Sequence, residues 1–279
     1  MTSKQAEHIA SHGDGHQATS RSSWQSWLSA PAKVLQRGIK GFGDLVIPPV
    51  CLGCKQPMTA HHTLCSSCWR SITFIGPPVC DRLGLPMPYD TGGEMVSAAA
   101  ARHPPVYNKA RFVAHYDGQM RHLIHDFKYR DQQDARRLFG RWLTTAGREL
   151  LTNANLIVPV PLYRSRLLHR RFNQSMILAN EVSRLTGIPT DPFTLSRTRP
   201  TKQQVGLTLA QRQRNVRGAF QVPRKRRKFI ANKNIVLIDD VVTTGATVES
   251  CAQVMVNSGA ARVDVLSLAR VTTSEVAEH

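Results

Sequence analysis

Two adjacent carboxylates follow an apolar run in the last quarter of the chain. Residues 235–238 are Ile-Val-Leu-Ile, and Asp239 and Asp240 come directly after them. Such a run is typical of a central strand covered on both faces, and open α/β sheets bind ligands at the carboxyl ends of these strands. Because neighbouring carboxylates repel each other, the pair predicts a ligand with hydroxyl donors or a cation. A ribose cis-diol, often with Mg²⁺ nearby, supplies both.

The turn after this pair has the composition of a phosphate site. Its residues are Thr243, Thr244, Gly245, Ala246 and Thr247. They supply backbone N–H groups, hydroxyls and the positive end of a following helix, which together favour a phosphate monoester. Phosphate on the turn and sugar on the acids describe a 5-phosphoribosyl group. The alternative is a capped helix after a strand that ends at the surface, for which one Asp would suffice.

A second cluster of reactive side chains lies near the amino terminus. It has the spacing C-x2-C-x10-C-x2-C and consists of Cys51, Cys54, Cys65 and Cys68. Two such pairs complete a tetrahedral zinc site, and since all four positions are protein thiolates, the zinc is expected to be structural. The alternative is four reduced cysteines in a loop.

One further stretch of this region resembles an incomplete metal-binding knuckle. In "CDRLGLP" Cys80 is followed by Leu83 where a second cysteine would be expected. We therefore expect a buried thiol at Cys80 and one zinc in the whole chain. Cys251 falls on the apolar face of a helix and is expected to serve packing.

The elements that position these residues alternate between strand and helix. "RFVAHY", "NLIVPVPL", "NKNIVLIDD" and "RVDVLSLARV" read as strands, with amphipathic helices between them. This pattern predicts a mostly parallel α/β sheet flanked by helices, with a small zinc-ribbon module before it. No internal repeat is apparent. The expected organisation is a disordered leader over 1–22, an amphipathic helical segment over 23–48, the zinc ribbon over 49–95, the α/β domain over 108–272 and a tail over 273–279.

The charge balance is strongly basic. The 279 residues contain 37 Lys and Arg against 19 Asp and Glu, a formal net charge of +18. This favours a polyanionic partner, either nucleic acid, a phosphate-rich ligand or an anionic membrane surface, without choosing among them. Neither an apolar run of about 18 residues nor an apolar secretory leader is present. We therefore expect a cytoplasmic protein with reduced cysteines and no transmembrane segment.

The motifs together resemble a known family. "VLIDDVVTTGAT" is similar to the signature of type I phosphoribosyltransferases, which bind phosphoribosyl pyrophosphate (PRPP). With the cysteine module, the chain resembles the ComF family, in which a zinc ribbon precedes a phosphoribosyltransferase domain. Residues 158–175, "VPVPLYRSRLLHRRFNQS", and 197–220, "RTRPTKQQVGLTLAQRQRNVRGAF", agree with this resemblance, which spans roughly residues 45–272. Leu83 and a glycine missing before Phe172 depart from the family pattern.

The resemblance implies an enzyme, a phosphoribosyltransferase (a glycosyltransferase) that uses PRPP with Mg²⁺ and an unknown acceptor. It places Asp239, Asp240 and Arg164 at the catalytic site, Arg164 near the leaving pyrophosphate. Arg166, Arg170 and Arg171 belong to the same stretch, whose alternative interpretation is a solvated helix face. Three further positions match the family and are expected on a mobile lid or, alternatively, an exposed helix: Thr201, Gln204 and Arg212.

A run of five basic residues, 224–228, precedes the strand that carries the carboxylates. It is read as a solvated connector, or as a contact with nucleic-acid phosphates. No aromatic residues are interleaved with it, so a stacking platform for single strands is not expected. The alternative function is therefore a DNA-handling protein of the competence type that keeps the fold as a ligand sensor or scaffold without turnover. A homodimer is left open.

Overall fold

The computed structural model describes residues 48–90, 92–129, 134–163, 167, 172–201 and 209–272, without the side chains of residues 209, 210, 212 and 213. The leader and nearly all of the helical segment expected over 23–48 lie outside these ranges, as does the tail. Among the helices described, none has both the length and the apolar character needed to cross a membrane.

A four-stranded parallel sheet forms the centre of the chain. Its strands are β1 (Ala110–His115), β2 (Leu156–Pro159), β5 (Asn234–Val242) and β6 (Arg262–Arg270). They lie in the order β1-β6-β5-β2, and each neighbouring pair is parallel. A separate antiparallel pair is formed by β3 (Ser196–Arg197) and β4 (Phe220–Gln221). The predicted mostly parallel sheet is therefore confirmed.

Nine described helices surround these strands. They are α1 (Ser66–Arg70), α2 (Ala98–Arg102), α3 (Gly118–Tyr129), α4 (Ala135–Ala146), α5 (Arg148–Thr152), α6 (Gln174–Thr186), α7 (Leu209–Val216), α8 (Arg227–Ile230) and α9 (Ala246–Val256), with a 3₁₀ turn at Arg224–Arg226 before α8. Helix α2 falls in the Ala-rich stretch after the expected zinc ribbon, where Ser97 caps it by accepting from the Ala100 N–H. Helix α6 ends at Gly187, whose φ of 76° is the left-handed conformation that glycine adopts freely.

The core lies on both faces of the sheet, as its apolar strands require. Alternate side chains of β5 point to opposite faces: Val236 and Ile238 pack with helices α3, α4 and α6, and Ile235 and Leu237 pack with α9. All four are essentially inaccessible to solvent. The two layers hold β5 at the centre, so its carboxyl half has a defined position.

The cysteine-rich region is attached to the outer strand of this sheet. The Ile75 N–H donates to the Val113 carbonyl at 2.9 Å, and the His115 N–H donates to the Thr73 carbonyl at 2.9 Å. These bonds cover part of the open edge of β1, which would otherwise expose unpaired backbone groups.

A partly buried charge cluster reinforces this attachment. The Asp81 carboxylate lies 3.1 Å from Lys109 Nζ and 3.0 Å from Arg111 Nη2. Burial by itself raises the pKa of Asp81, but the Met95 N–H and the two cations hold it below its ordinary value. Asp81 thus joins the cysteine-rich region to β1 as a carboxylate.

Candidate functional site

The two carboxylates lie side by side in the carboxyl half of β5, where the sequence predicts them. Asp239 Oδ1 accepts a hydrogen bond from Ser175 Oγ at 3.1 Å and another from the Asp240 N–H at 2.9 Å. Asp240 Oδ2 lies 2.8 Å from Lys128 Nζ, with both side chains 14% exposed. Strand β5 continues to Val242, so the pair stands within the strand rather than at its last residues.

The environment of Asp239 makes its charge unfavourable. Burial, and then the adjacent negative charge of Asp240, raise the pKa of Asp239 to about 7. The Asp240 N–H, Lys128 and Ser175 oppose this shift without cancelling it. A carboxyl that ionises only near neutral pH is characteristic of functional sites, because a cationic or hydroxyl-rich ligand relieves the repulsion.

The predicted phosphate turn leads directly into α9 beside these acids. Gly245 has a φ of 87° and stands immediately before the helix, and a side chain there would meet Arg270 Nη1 at 3.7 Å. Thr244 Oγ1 is buried and has no hydrogen-bond partner in the described part of the chain. A small cleft is lined by Asp239, Val241, Val242, Thr243, Gly245, Thr247 and Val248. The unpartnered hydroxyl and the N-terminal end of α9 fit an anionic oxygen.

Three side chains that the sequence interpretation missed complete this site. Lys128 comes from the end of α3, Ser175 from the first turn of α6 and Arg270 from the end of β6. Arg270 packs over the Phe112 ring, and burial lowers the pKa of its guanidinium. Its Nε is buried and unpartnered within the described ranges. A polar residue at the end of a parallel strand was the available signal for Arg270, whereas Lys128 had none.

Several predicted residues cannot be placed. Arg164, Arg166, Arg170, Arg171 and Gln204 lie outside the described residues, as does the side chain of Arg212. Thr201 is described, and its hydroxyl is in contact with Arg197 Nη2. The predicted role of Arg164 at the leaving group therefore stays a prediction.

The four predicted zinc ligands are brought together. The Sγ atoms of Cys51, Cys54, Cys65 and Cys68 all lie within 4.8 Å of one another. A tetrahedral zinc with Zn–S bonds of about 2.3 Å requires sulfurs roughly 3.8 Å apart, and the Cys54 and Cys65 sulfurs are 3.6 Å apart. The donor set therefore fits the metal.

The pKa values of these thiols differ widely. The Ser67 hydroxyl and the Cys68 N–H lower the pKa of Cys65 to about 6, while burial and the neighbouring thiols raise that of Cys68 to about 12. A bound cation removes this conflict, since it stabilises every thiolate at once.

A second segment of the region folds like the first knuckle. Residues 48–58 and 77–87 both begin with Pro-Pro-Val-Cys and end with Pro-Met. Their backbone hydrogen bonds correspond: Cys51 N–H to Gln56 O and Cys80 N–H to Leu85 O, both at 2.8 Å, and Lys55 N–H to Cys51 O at 3.0 Å and Gly84 N–H to Cys80 O at 2.8 Å. The expectation that the chain has no internal repeat is therefore wrong, because these two segments share both sequence and backbone hydrogen bonds.

The second half of this repeat keeps one of the four ligand positions as cysteine. The Cys65 N–H donates to Cys51 Sγ at 3.2 Å, and the Ser97 N–H donates to Cys80 Sγ at 3.2 Å. Both acceptors belong to the first cysteine of their knuckle. The corresponding positions are Cys51 and Cys80, Cys54 and Leu83, Cys65 and Ser97, and Cys68 and Ala100. Three of the second set cannot bind zinc, so the described residues contain one four-cysteine cluster.

Comparisons with known proteins agree with both halves of the chain. Residues 42–100 match the double zinc ribbon domain, and residues 173–278 match the phosphoribosyl transferase domain. Fold and site thus define a zinc-ribbon protein with a phosphoribosyltransferase-like domain.

Similar proteins identify the family more closely. The chain is 32% identical over 235 residues to DNA utilization protein YhgH of Escherichia coli K12, which covers 81% of this chain and 99% of that protein. It is 29% identical over 226 residues to Competence protein F of Haemophilus influenzae, covering 79% and 96%. The chain belongs to the ComF family.

A solved structure also matches part of the chain. Glutamine PRPP amidotransferase from B. subtilis matches with 20% sequence identity and a TM-score of 0.35. The match covers 51% of this chain but 30% of that one, so the chain spans under a third of the amidotransferase.

Proposed function

We propose that this chain binds PRPP with Mg²⁺ and is a phosphoribosyltransferase with an acceptor still to be identified. The observation that carries the proposal is the pairing of the Asp239–Asp240 carboxylates with the buried, unpartnered Thr244 hydroxyl across one turn. The carboxylates suit the ribose diol, and the turn suits the 5-phosphate.

The chain's own groups account for binding and orientation. Lys128 contacts the Asp240 carboxylate and Ser175 donates a hydrogen bond to the Asp239 carboxylate, so each acid has its own orienting partner. The Arg270 guanidinium adds positive charge beside the phosphate turn. Asp239 and Asp240 would supply carboxylate oxygen ligands to Mg²⁺. The bound ion would neutralise charge on the pyrophosphate. Arg164, which lies outside the described residues, is proposed to stabilise the same charge.

Calorimetry tests this proposal. Titration of PRPP into the full chain with Mg²⁺ should give saturable binding, and Asp239→Asn combined with Asp240→Asn should abolish it. Asp90→Asn, in an exposed ribbon loop, is the matched control and should bind as the natural chain does. Unchanged binding in the double variant rejects the site.

Turnover is a separate measurement. Pyrophosphate release from PRPP should appear with one member of a panel of bases and amines and vanish in the double variant. Binding without release against the whole panel would leave a PRPP sensor and reject the transferase.

A second candidate function is the handling of DNA. Similar proteins carry the names DNA utilization protein and Competence protein F, and the net charge of +18 favours a polyanion. Fluorescence anisotropy with labelled oligonucleotides across a salt series tests it, and absence of binding near physiological salt rejects it.

A further inference from the structure

Two exposed phenylalanines flank one arginine on the surface of the chain. Phe193 is 66% exposed and Phe229 is 56% exposed. The Arg226 guanidinium carbon lies 5.5 Å from the first ring centroid and 5.4 Å from the second. The rings are far apart in sequence but belong to one cluster in space, which we call the Phe193–Phe229 surface.

The polypeptide holds this surface in a fixed arrangement. Asp191 accepts from the Phe193 N–H at 2.9 Å and lies 3.2 Å from Arg226 Nη1. Phe229 precedes Ile230, which is completely buried and anchors α8 to the core. The exposed rings are therefore pre-organised, which lowers the entropic cost of binding a planar partner.

Positive charge surrounds the two rings. Arg226 belongs to the five consecutive basic residues 224–228, and the other four side chains are exposed. No aromatic residue is interleaved with the run in the sequence, but Phe229 follows it directly and Phe193 reaches it from a different part of the chain. Proteins that bind single-stranded nucleic acid without sequence preference combine exposed aromatic side chains with positive charge, and this surface has both.

We propose that the Phe193–Phe229 surface binds single-stranded nucleic acid, with bases stacked on the two rings and phosphates on the surrounding arginines and lysines. A duplex keeps its base faces stacked internally, so the rings favour a single strand. The proposal rests on the nucleic-acid function proposed above and adds the place and the strand class.

This surface is distinct from the proposed PRPP site. The 3₁₀ turn and α8 lead into the amino end of β5, which begins at Asn234. Asp239 lies five residues further along the strand, about 17 Å from Asn234 at about 3.3 Å per residue. A variant of one site should therefore leave the other intact.

Anisotropy with a labelled single-stranded 20-mer, the matched duplex and the matched RNA tests the proposal. Phe193→Ala with Phe229→Ala should weaken single-strand binding by about 25-fold or more, since each ring that loses a stacked base costs at least about fivefold. Phe193→Trp with Phe229→Trp should retain binding. Tyr89→Ala removes a ring that is 64% exposed in the ribbon region and should bind as the natural chain does.

The salt dependence separates stacking from charge. Lys225→Gln with Lys228→Gln should reduce the slope of log K against log salt by about 1.4 for a single strand, whereas the alanine double variant should leave the slope unchanged. RNA that binds as DNA does supports recognition of the strand rather than the sugar. A difference of more than tenfold between RNA and DNA affinity overturns recognition that is independent of the sugar.

Four further results would overturn the proposal. Tight duplex binding that equals single-strand binding excludes stacking. Unchanged affinity in the alanine double variant moves the nucleic-acid site elsewhere, and a change only in oligomeric state makes the surface a protein interface. Absence of any binding by the natural chain rejects the nucleic-acid function itself. Because Asp239→Asn with Asp240→Asn should retain nucleic-acid binding, failure of the PRPP proposal is distinguishable.

Discussion

Asp239→Asn should stabilise the protein above neutral pH while destroying its proposed ligand site. The carboxyl of Asp239 has its pKa raised from 3.8 to about 7, chiefly by burial and by the charge of Asp240. Holding it ionised in the folded chain therefore costs up to about 4 kcal/mol, at about 1.4 kcal/mol for each tenfold change in proton affinity. Asparagine removes this cost, because it carries no charge at any pH.

The direction of the pH dependence follows from the two pKa values. Below pH 3.8 the carboxyl is protonated in both the folded and unfolded chains, so it contributes no penalty. As the pH rises to about 7, the unfolded chain loses the proton first and the stability of the natural protein falls. The difference in unfolding free energy between variant and natural chain should grow from near zero at pH 4 to about 2–4 kcal/mol at pH 8, with some loss from the altered hydrogen bonds.

Urea unfolding at pH 5, 6, 7 and 8 without Mg²⁺ measures this difference. Asp90→Asn serves as the control and should follow the natural chain at every pH. A difference for Asp239→Asn that is equal at pH 5 and pH 8 would refute the reasoning, since it would show that Asp239 does not titrate between these values.

Three other changes have defined outcomes. Lys128→Met removes the cation from Asp240, so the unfolding free energy at pH 8 should fall by about 1–3 kcal/mol in urea, while Lys128→Arg should retain most of it. Thr244→Val should leave the melting temperature nearly unchanged, because the hydroxyl has no described partner, yet weaken PRPP binding about tenfold or more in calorimetry. Cys65→Ser should reduce the zinc content from about one per chain to near zero in elemental measurement, whereas Cys80→Ser should retain it. An unchanged unfolding free energy in Lys128→Met, an unchanged PRPP affinity in Thr244→Val or an unchanged zinc content in Cys65→Ser would contradict the corresponding assignment.

The sequence was most informative where one segment carries the whole signal. The apolar run before Asp239 predicts a central strand because no neighbour is needed to recognise it, and the paired cysteines predict a metal cluster by spacing alone. The strands of the parallel sheet follow from the same local patterns. These predictions depend on periodicity and residue type, which a single sequence displays.

Features assembled by tertiary packing could not be predicted in this way. Lys128 reaches Asp240 because α3 packs beside β5, a contact between residues 112 positions apart. Phe193 reaches Arg226 from a distant segment, so the sequence around the basic run shows Phe229 but not the second ring. The sequence shows the incomplete knuckle at Cys80 but not its partner positions, because Ser97 and Ala100 are not metal ligands and only their backbone hydrogen bonds show which positions they occupy.

The two halves of the ribbon region should respond differently to zinc starvation or thiol oxidation. The first half depends on four sulfurs, whereas the second is held by the Asp81 charge cluster and by its own backbone bonds. Removal of zinc by a chelator is therefore expected to loosen the half that contains the four cysteines, while the half that contains Asp81 stays joined to β1. The open edge of β1 would therefore stay covered when zinc is scarce, and this protects the chain against association through β1.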